Sequence, residues 1–207
     1  MLVAHNAMTT DKETLAVYDA RAEDYESRFA GDAPSALLQR FINAVPDGGR
    51  VLDLGCGPGS AAAHMAAAGL RVDATDASPE MVRLAQAKPG VTARQATFDE
   101  LDATALYDGI WANFSLLHAT RADLPRHLDR IATALKDAGV FHIGMKTGDG
   151  EGRDTLGRRY TYVRAKELRQ MLEAAGLDII AQDTGHEVGL SGSDDWWIVL
   201  MAQKHHG

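Results

Sequence analysis

Between residues 11 and 30 apolar positions recur at three- and four-residue spacing: Leu15, Tyr18, Ala22, Tyr25 and Phe29. That period predicts one amphipathic helix. Pro34 is placed to open a second, with Leu37, Leu38, Phe41 and Ile42 on one face. Pro46-Asp47-Gly48-Gly49 then marks a turn. Beyond it the pattern changes, and short apolar runs alternate with helical ones. Strands are predicted at 50–54, 70–75, 91–96, 107–114 and 139–145, with helices at 60–68, 79–87 and 123–136 between them. Ser78 suits an N-cap, Pro79 the first helical position, and Gly69 a helix stop. Residues 147–159 are polar and glycine-rich, which predicts a long surface loop. A helix at 164–175 and strands at 177–181 and 196–202 follow. Alternating strands and helices predict an α/β fold of the Rossmann-like, three-layer kind, with a mostly parallel sheet. One domain is expected over 1–207, with 1–45 a helical cap and 46–207 the core.

Composition narrows the function classes. The 207 residues carry 21 basic and 29 acidic side chains, a net charge of −8, and 45% are apolar. This excludes a disordered or collagen-like chain. One cysteine, Cys56, excludes an internal disulfide and a cysteine-cluster zinc site, and no metal is expected. No run of about 18 apolar residues predicts a membrane span. The first residues lack a basic-then-apolar leader pattern, so a cytoplasmic protein is expected. The acidic balance argues against nucleic acid as a partner.

The informative segment is Val51-Leu52-Asp53-Leu54-Gly55-Cys56-Gly57-Pro58-Gly59, between a predicted strand and helix. Such a turn presents bare backbone and unpaired N–H groups at a strand's carboxyl end. Asp76 ends the next strand about 20 residues on, a spacing suited to ribose hydroxyls. A nicotinamide dinucleotide fits poorly: Ser60 stands at the sixth position of the glycine fingerprint. A buried Asp53 would also repel a pyrophosphate by several kcal/mol. An ammonium beside Asp53 and a diol beside Asp76 are the two ends that S-adenosylmethionine offers.

At this point the sequence resembles the class I S-adenosylmethionine-dependent methyltransferases, including short tellurite-resistance-like members, over residues 36–204. The matching motifs are the glycine segment, Asp73-Ala74-Thr75-Asp76-Ala77-Ser78-Pro79-Glu80-Met81, Gln95-Ala96-Thr97-Phe98-Asp99, the stretch 107–118, and 135–140, where Val140 replaces a second glycine. The resemblance implies a seven-stranded sheet with the last strand antiparallel. It implies cofactor contacts at Asp53, Gly55, Gly57, Asp76, Met81, Phe98 and Asn113. Cys56, Gly59 and Ala77 are expected beside them. Many relatives have Gly-Asp where this chain has Ala96-Thr97, so Thr97 or Asp99 is expected to take the adenine amino group. Asp99 has a second reading as the cap of a short helix.

Tyr18 and Tyr25 read as core packing or as a lid over the sulfonium, since aromatic faces attract cations. Tyr25 is expected at the cofactor and Tyr18 at the acceptor. His118 reads as a packing residue or as the candidate catalytic base. In the loop after the fifth strand, Arg153, Arg158 or Arg159 would suit an anionic group; Arg153, Arg159 and Tyr160 are expected to touch the acceptor. His142 reads as a strand residue, and His205 and His206 as a frayed tail. The expected function is methyl transfer to a small molecule. Alternatives are an RNA methyltransferase, resting on Arg158, Arg159, Arg164, Lys166 and Arg169; a non-catalytic sensor of the cofactor; and a nicotinamide-dependent oxidoreductase.

Overall fold

A computed structural model describes residues 10–29, 31, 33–188, 192 and 194–205. His206 lies outside them, as does the side chain of Phe29. The elements in chain order are α1 (Lys12–Ala20), α2 (Ala22–Phe29), α3 (Ala36–Ala44), β1 (Arg50–Leu54), α4 (Ser60–Ala67), β2 (Arg71–Asp76), α5 (Pro79–Gln86), β3 (Val91–Gln95), β4 (Tyr107–Asn113), α6 (Leu124–Ala134), β5 (Leu135–Lys146), β6 (Glu151–Arg153), β7 (Arg159–Thr161), α7 (Ala165–Ala174), β8 (Leu177–Val188) and β9 (Asp194–Lys204).

Seven strands form one sheet in the order β3-β2-β1-β4-β5-β9-β8. Only β9 runs against its neighbours β5 and β8. This is the expected Rossmann-like architecture, a mostly parallel seven-stranded sheet with the last strand antiparallel. Side chains alternate along β1, so Val51 joins Phe41, Met65 and Val72 under α3, α4 and α5. Leu52 and Leu54 join Leu128, Ile131, Leu168 and Leu172 under α6 and α7. A strand buried on both faces needs this continuous apolar run.

The predicted helix at 11–30 is two helices, broken at Arg21 (φ −123°, ψ 17°). No glycine or proline marks the break. Both helices dock on α5: Ser78 Oγ donates to Asp19 (2.5 Å), Lys88 pairs with Glu26 (2.7 Å), and Tyr25 packs on Met81 and Leu84.

The predicted loop at 147–159 instead contains the two-stranded sheet β6–β7. Its strands are three residues long, too short to show a period. Its anchor is polar: Arg158 and Asp154 form an ion pair with side chains only 3% and 5% exposed. β8 also outruns its predicted end at Ala181. Its outer half, Gln182-Asp183-Thr184-Gly185-His186-Glu187, sits at the sheet edge and pairs with β9 alone. An edge strand with solvent beside it carries little apolar signal.

Candidate active site

The carboxyl ends of β1, β2 and β4 open into a cavity of about 640 Å³, the edge at which parallel sheets bind ligands. The glycine turn after β1 forms its floor. Gly55 N and Cys56 N both donate to Thr75 O (2.8 and 2.9 Å), tying the turn to β2. At Gly55 (φ +76°) a Cβ would stand 2.3 Å from Ser115 Cβ, so only glycine fits.

Asp76 is held by the same turn. Gly57 N donates to its Oδ2 and Ser78 N to its Oδ1, each at 2.9 Å. Each oxygen keeps further lone-pair capacity for a diol. Burial raises the Asp76 pKa, and the backbone donors from Ser78 and Gly57 oppose it.

Asp53 is the unsatisfied group. It is 2% exposed, and its Oδ2 has no hydrogen-bond partner. Burial first, and Asp76 second, push its pKa up to about 7. A buried carboxylate oxygen without a donor is costly, and a cation placed there removes the cost.

A family model described as a methyltransferase domain matches residues 25–182. The chain belongs to the S-adenosylmethionine-dependent methyltransferases. An uncharacterized protein of Mycobacterium tuberculosis (strain H37Rv) is 31% identical over 124 residues, covering 57% of this chain. The chain spans only 44% of that relative's length. The structure of Burkholderia thailandensis 1,6-didemethyltoxoflavin-N1-methyltransferase, with its substrate and S-adenosylhomocysteine bound, superposes with a TM-score of 0.71 at 24% identity, covering 99% of this chain and 94% of that one. The [4+2]-cyclase SpnF superposes at 0.73 with 18% identity and 97% coverage of both chains. The fold is therefore shared with a protein named for different chemistry.

S-adenosylmethionine is the methyl donor of this family, and the residues present fit it: the orphaned Asp53 oxygen suits its ammonium, and Asp76 its ribose. Cys56, Ala77, Met81, Thr97, Phe98, Asp99 and Asn113 also line the cavity. Gly59 (φ +82°) does not. Its missing Cβ would stand 2.8 Å from Ala85 Cα, so this glycine lets α4 start against α5. Thr97 caps the short turn at 98–100, with its N and Oγ1 bonded to Glu100 Oε2 (2.8 and 2.9 Å). That is the role read for Asp99, which instead pairs with Arg126. His142 is buried, stacks on Trp111 (3.5 Å between centroids) and donates from Nε2 to Asn113 Oδ1 (3.0 Å). Burial presses its pKa down to about 3.

At the far side, four ring-bearing side chains meet a buried cation. His118 Nδ1 donates to Arg159 O (2.6 Å), which fixes the tautomer, so Nε2 accepts the Tyr18 hydroxyl (2.6 Å). Tyr18 and Tyr25 pack edge to face (5.1 Å) and hydrogen-bond each other. Tyr25 accepts from Arg158, whose guanidinium also lies 5.4 Å from the Tyr160 ring. Lys146 stands 4.0 Å over Tyr160 and pairs with Asp195 (2.5 Å).

Neither Arg153 nor Arg159 lines the cavity. Arg153 pairs with Asp11 (2.7 Å), and Arg159 with Glu151 (2.9 Å). Arg158 lines it instead, but donates from Nε and Nη2 to Asp154 (2.8 and 2.6 Å). Lys146, Asp195 and Trp197 also face the cavity and were not anticipated. Lys146 ends β5 at the sheet's carboxyl edge, a position that signals function. The other two pair with Glu187 and Gly185 of β8, beyond the predicted end of that strand.

Among the described residues no cluster of three or more His, Cys, Asp or Glu is placed to hold a metal, and no helix is long and apolar enough to cross a membrane.

Proposed function

We propose that this methyltransferase transfers the methyl group of S-adenosylmethionine to a small-molecule acceptor held between Tyr18, Tyr160, Phe114 and Trp197. The observation that carries the reading is the partnerless, buried Asp53 oxygen beside Asp76 on the glycine turn. The bound cofactor supplies an electrophilic methyl on a sulfonium. The chain's task is alignment of the acceptor with it and exclusion of water, which contributes up to about 7–11 kcal/mol in favourable cases.

Proton handling falls to Tyr18 and His118. Burial brings the His118 pKa down to about 4, so its imidazole is neutral at pH 7. An acceptor O–H or N–H gives its proton to Tyr18 O as the Tyr18 proton passes to His118 Nε2. Both cationic side chains at the cavity, Arg158 and Lys146, already face carboxylates of this chain. An uncharged acceptor suits that wall better than the anionic one the loop arginines suggested. The toxoflavin-precursor methyltransferase, a structural neighbour, also acts on a compact small molecule.

The small-molecule reading is favoured over the RNA one because four of the five basic side chains behind the latter, Arg158, Arg159, Arg164 and Arg169, are engaged with Asp154, Glu151, Asp149 and Gln182; the fifth is Lys166.

Isothermal calorimetry with S-adenosylmethionine, S-adenosylhomocysteine and NAD tests the donor site. Binding of the first two and loss of it in Asp76→Ala are expected; binding of NAD alone would refute the reading. Methyl transfer to a panel of phenols and heteroaromatic amines separates an enzyme from a sensor.

A further inference from the structure

We infer that His127, on α6, reads the 6-amino group of the cofactor's adenine; the inference rests on the methyl-donor reading above. Among the described residues, three buried polar side-chain atoms have no hydrogen-bond partner: Asp53 Oδ2, Thr75 Oγ1 and His127 Nδ1. Thr75 does not line the cavity, whereas Asp53 and His127 do. Asp53 answers the ammonium, and His127, beside Phe98, lines the same cavity.

The position suits a base. A ribose held at Asp76 puts its purine against the apolar surfaces of Met81, Ala96 and Phe98. Met81 and Ala96 are 1% and 7% exposed, and Ala96 N donates to Asp76 O (2.9 Å). The His127 ring stands edge-on to Phe98, with centroids 5.6 Å apart at 68°. Other polar side chains at that end are engaged: Thr97 with Glu100, and Asp99 with Arg126. A purine edge needs a polar partner as much as flat apolar walls.

The tautomer follows from the surroundings. His127 Nδ1 lies 4.0 Å from Asp99 Oδ1, too far for a hydrogen bond. The negative oxygen nonetheless favours the proton on Nδ1, and Arg126 holds that carboxylate in position. Nδ1 is sealed off, so Nε2 is the ring nitrogen left to face a ligand. Burial lowers the His127 pKa, so the ring is neutral and Nε2 carries a lone pair. That lone pair accepts an N–H from a 6-amino purine and repels the carbonyl oxygen of a 6-oxo purine.

Calorimetry on the whole chain with S-adenosylhomocysteine and its 6-oxo analogue S-inosylhomocysteine tests this. The wild-type protein is expected to bind the amino form at least about tenfold more tightly, the size of one buried hydrogen bond. His127→Phe is expected to bring the ratio close to one. His127→Gln, whose amide oxygen reaches the place of Nε2, is expected to retain it. A wild-type ratio near one overturns the inference. So does a folded His127→Phe that keeps the wild-type ratio. If His127→Phe does not fold, the wild-type and His127→Gln ratios decide. Failure of the wild-type protein to bind either compound overturns the methyl-donor reading, and this inference with it.

Discussion

The Tyr18 hydroxyl lies 2.6 Å from His118 Nε2, joining α1 to the turn that follows β4 across 100 residues of sequence. His118 Nδ1 is committed to Arg159 O, so the imidazole has one orientation and one free lone pair, and Tyr18 has it. Tyr18→Phe keeps the ring and removes the proton path. On an acceptor with a protonated O–H or N–H, kcat is expected to fall about 10²-fold or more, the usual worth of positioned acid–base groups. The Kd for S-adenosylhomocysteine is expected to be unchanged. An unchanged kcat in this variant would mean that Tyr18 works by packing alone.

Asp53 couples cofactor binding to pH. Its carboxyl is raised from 3.8 to about 7 by burial and by Asp76. With a raised folded pKa, the native state holds a proton that the unfolded state has lost between those values. Stability without ligand therefore declines as pH rises from about 4 to 7, by up to a few kcal/mol. An ammonium needs the ionised carboxylate. Cofactor binding at pH 6 is thus expected to release close to one proton, read as the dependence of binding enthalpy on buffer ionisation enthalpy. Asp53→Asn is expected to remove both the release and most of the affinity, and to raise the melting temperature of the unliganded protein at pH 8.

Two glycines of one turn separate packing from binding. Gly59→Ala drives a Cβ to within 2.8 Å of Ala85 Cα at a φ of +82°. A loss of about 1–3 kcal/mol of stability is expected, seen in urea unfolding. Gly57 (φ +53°) has no atom within 4 Å of its missing Cβ. Gly57→Ala is expected to cost about 1 kcal/mol in stability, while its methyl intrudes on the ligand and weakens S-adenosylhomocysteine binding at least tenfold. Equal effects of the two changes on binding would contradict this division.

Arg158 and Arg159 are adjacent, but only the first is buried with its counter-ion. Arg158→Met leaves the buried Asp154 carboxylate without its counter-ion and is expected to cost about 3–5 kcal/mol. Arg159→Ala leaves both the main-chain carbonyl that His118 uses and the Thr14 contact to its N–H (2.8 Å) in place. Its melting temperature is expected to stay close to wild type, as scanning calorimetry would show.

The sheet was readable because its strands are apolar on both faces and its turns carry glycine and proline. Asp53 and Asp76 were readable because each ends or interrupts an apolar run, where a carboxylate has no packing purpose. The acceptor side was harder to read. Arg158 looks like any loop arginine beside Arg159, and only burial against Asp154 and Tyr25 sets it apart. The link between Tyr18 and His118 depends on the break at Arg21, on the β6–β7 pairing and on the carbonyl of Arg159, none of which leaves a periodic trace. His127 shares the apolar stripe of α6 with Leu124, Leu128 and Ile131, all of them buried, and so reads as one more core position.

The three indoles sit in different media. Trp111 is buried under α3 and reaches the cavity, Trp197 borders the same cavity with Asp195 and Val188, and Trp196 is 64% exposed to water. The protein thus carries its own optical probe: with Trp196 replaced by Phe, emission from Trp111 and Trp197 responds to whatever fills the pocket, and unlabelled candidate acceptors can be screened by quenching before any turnover is sought.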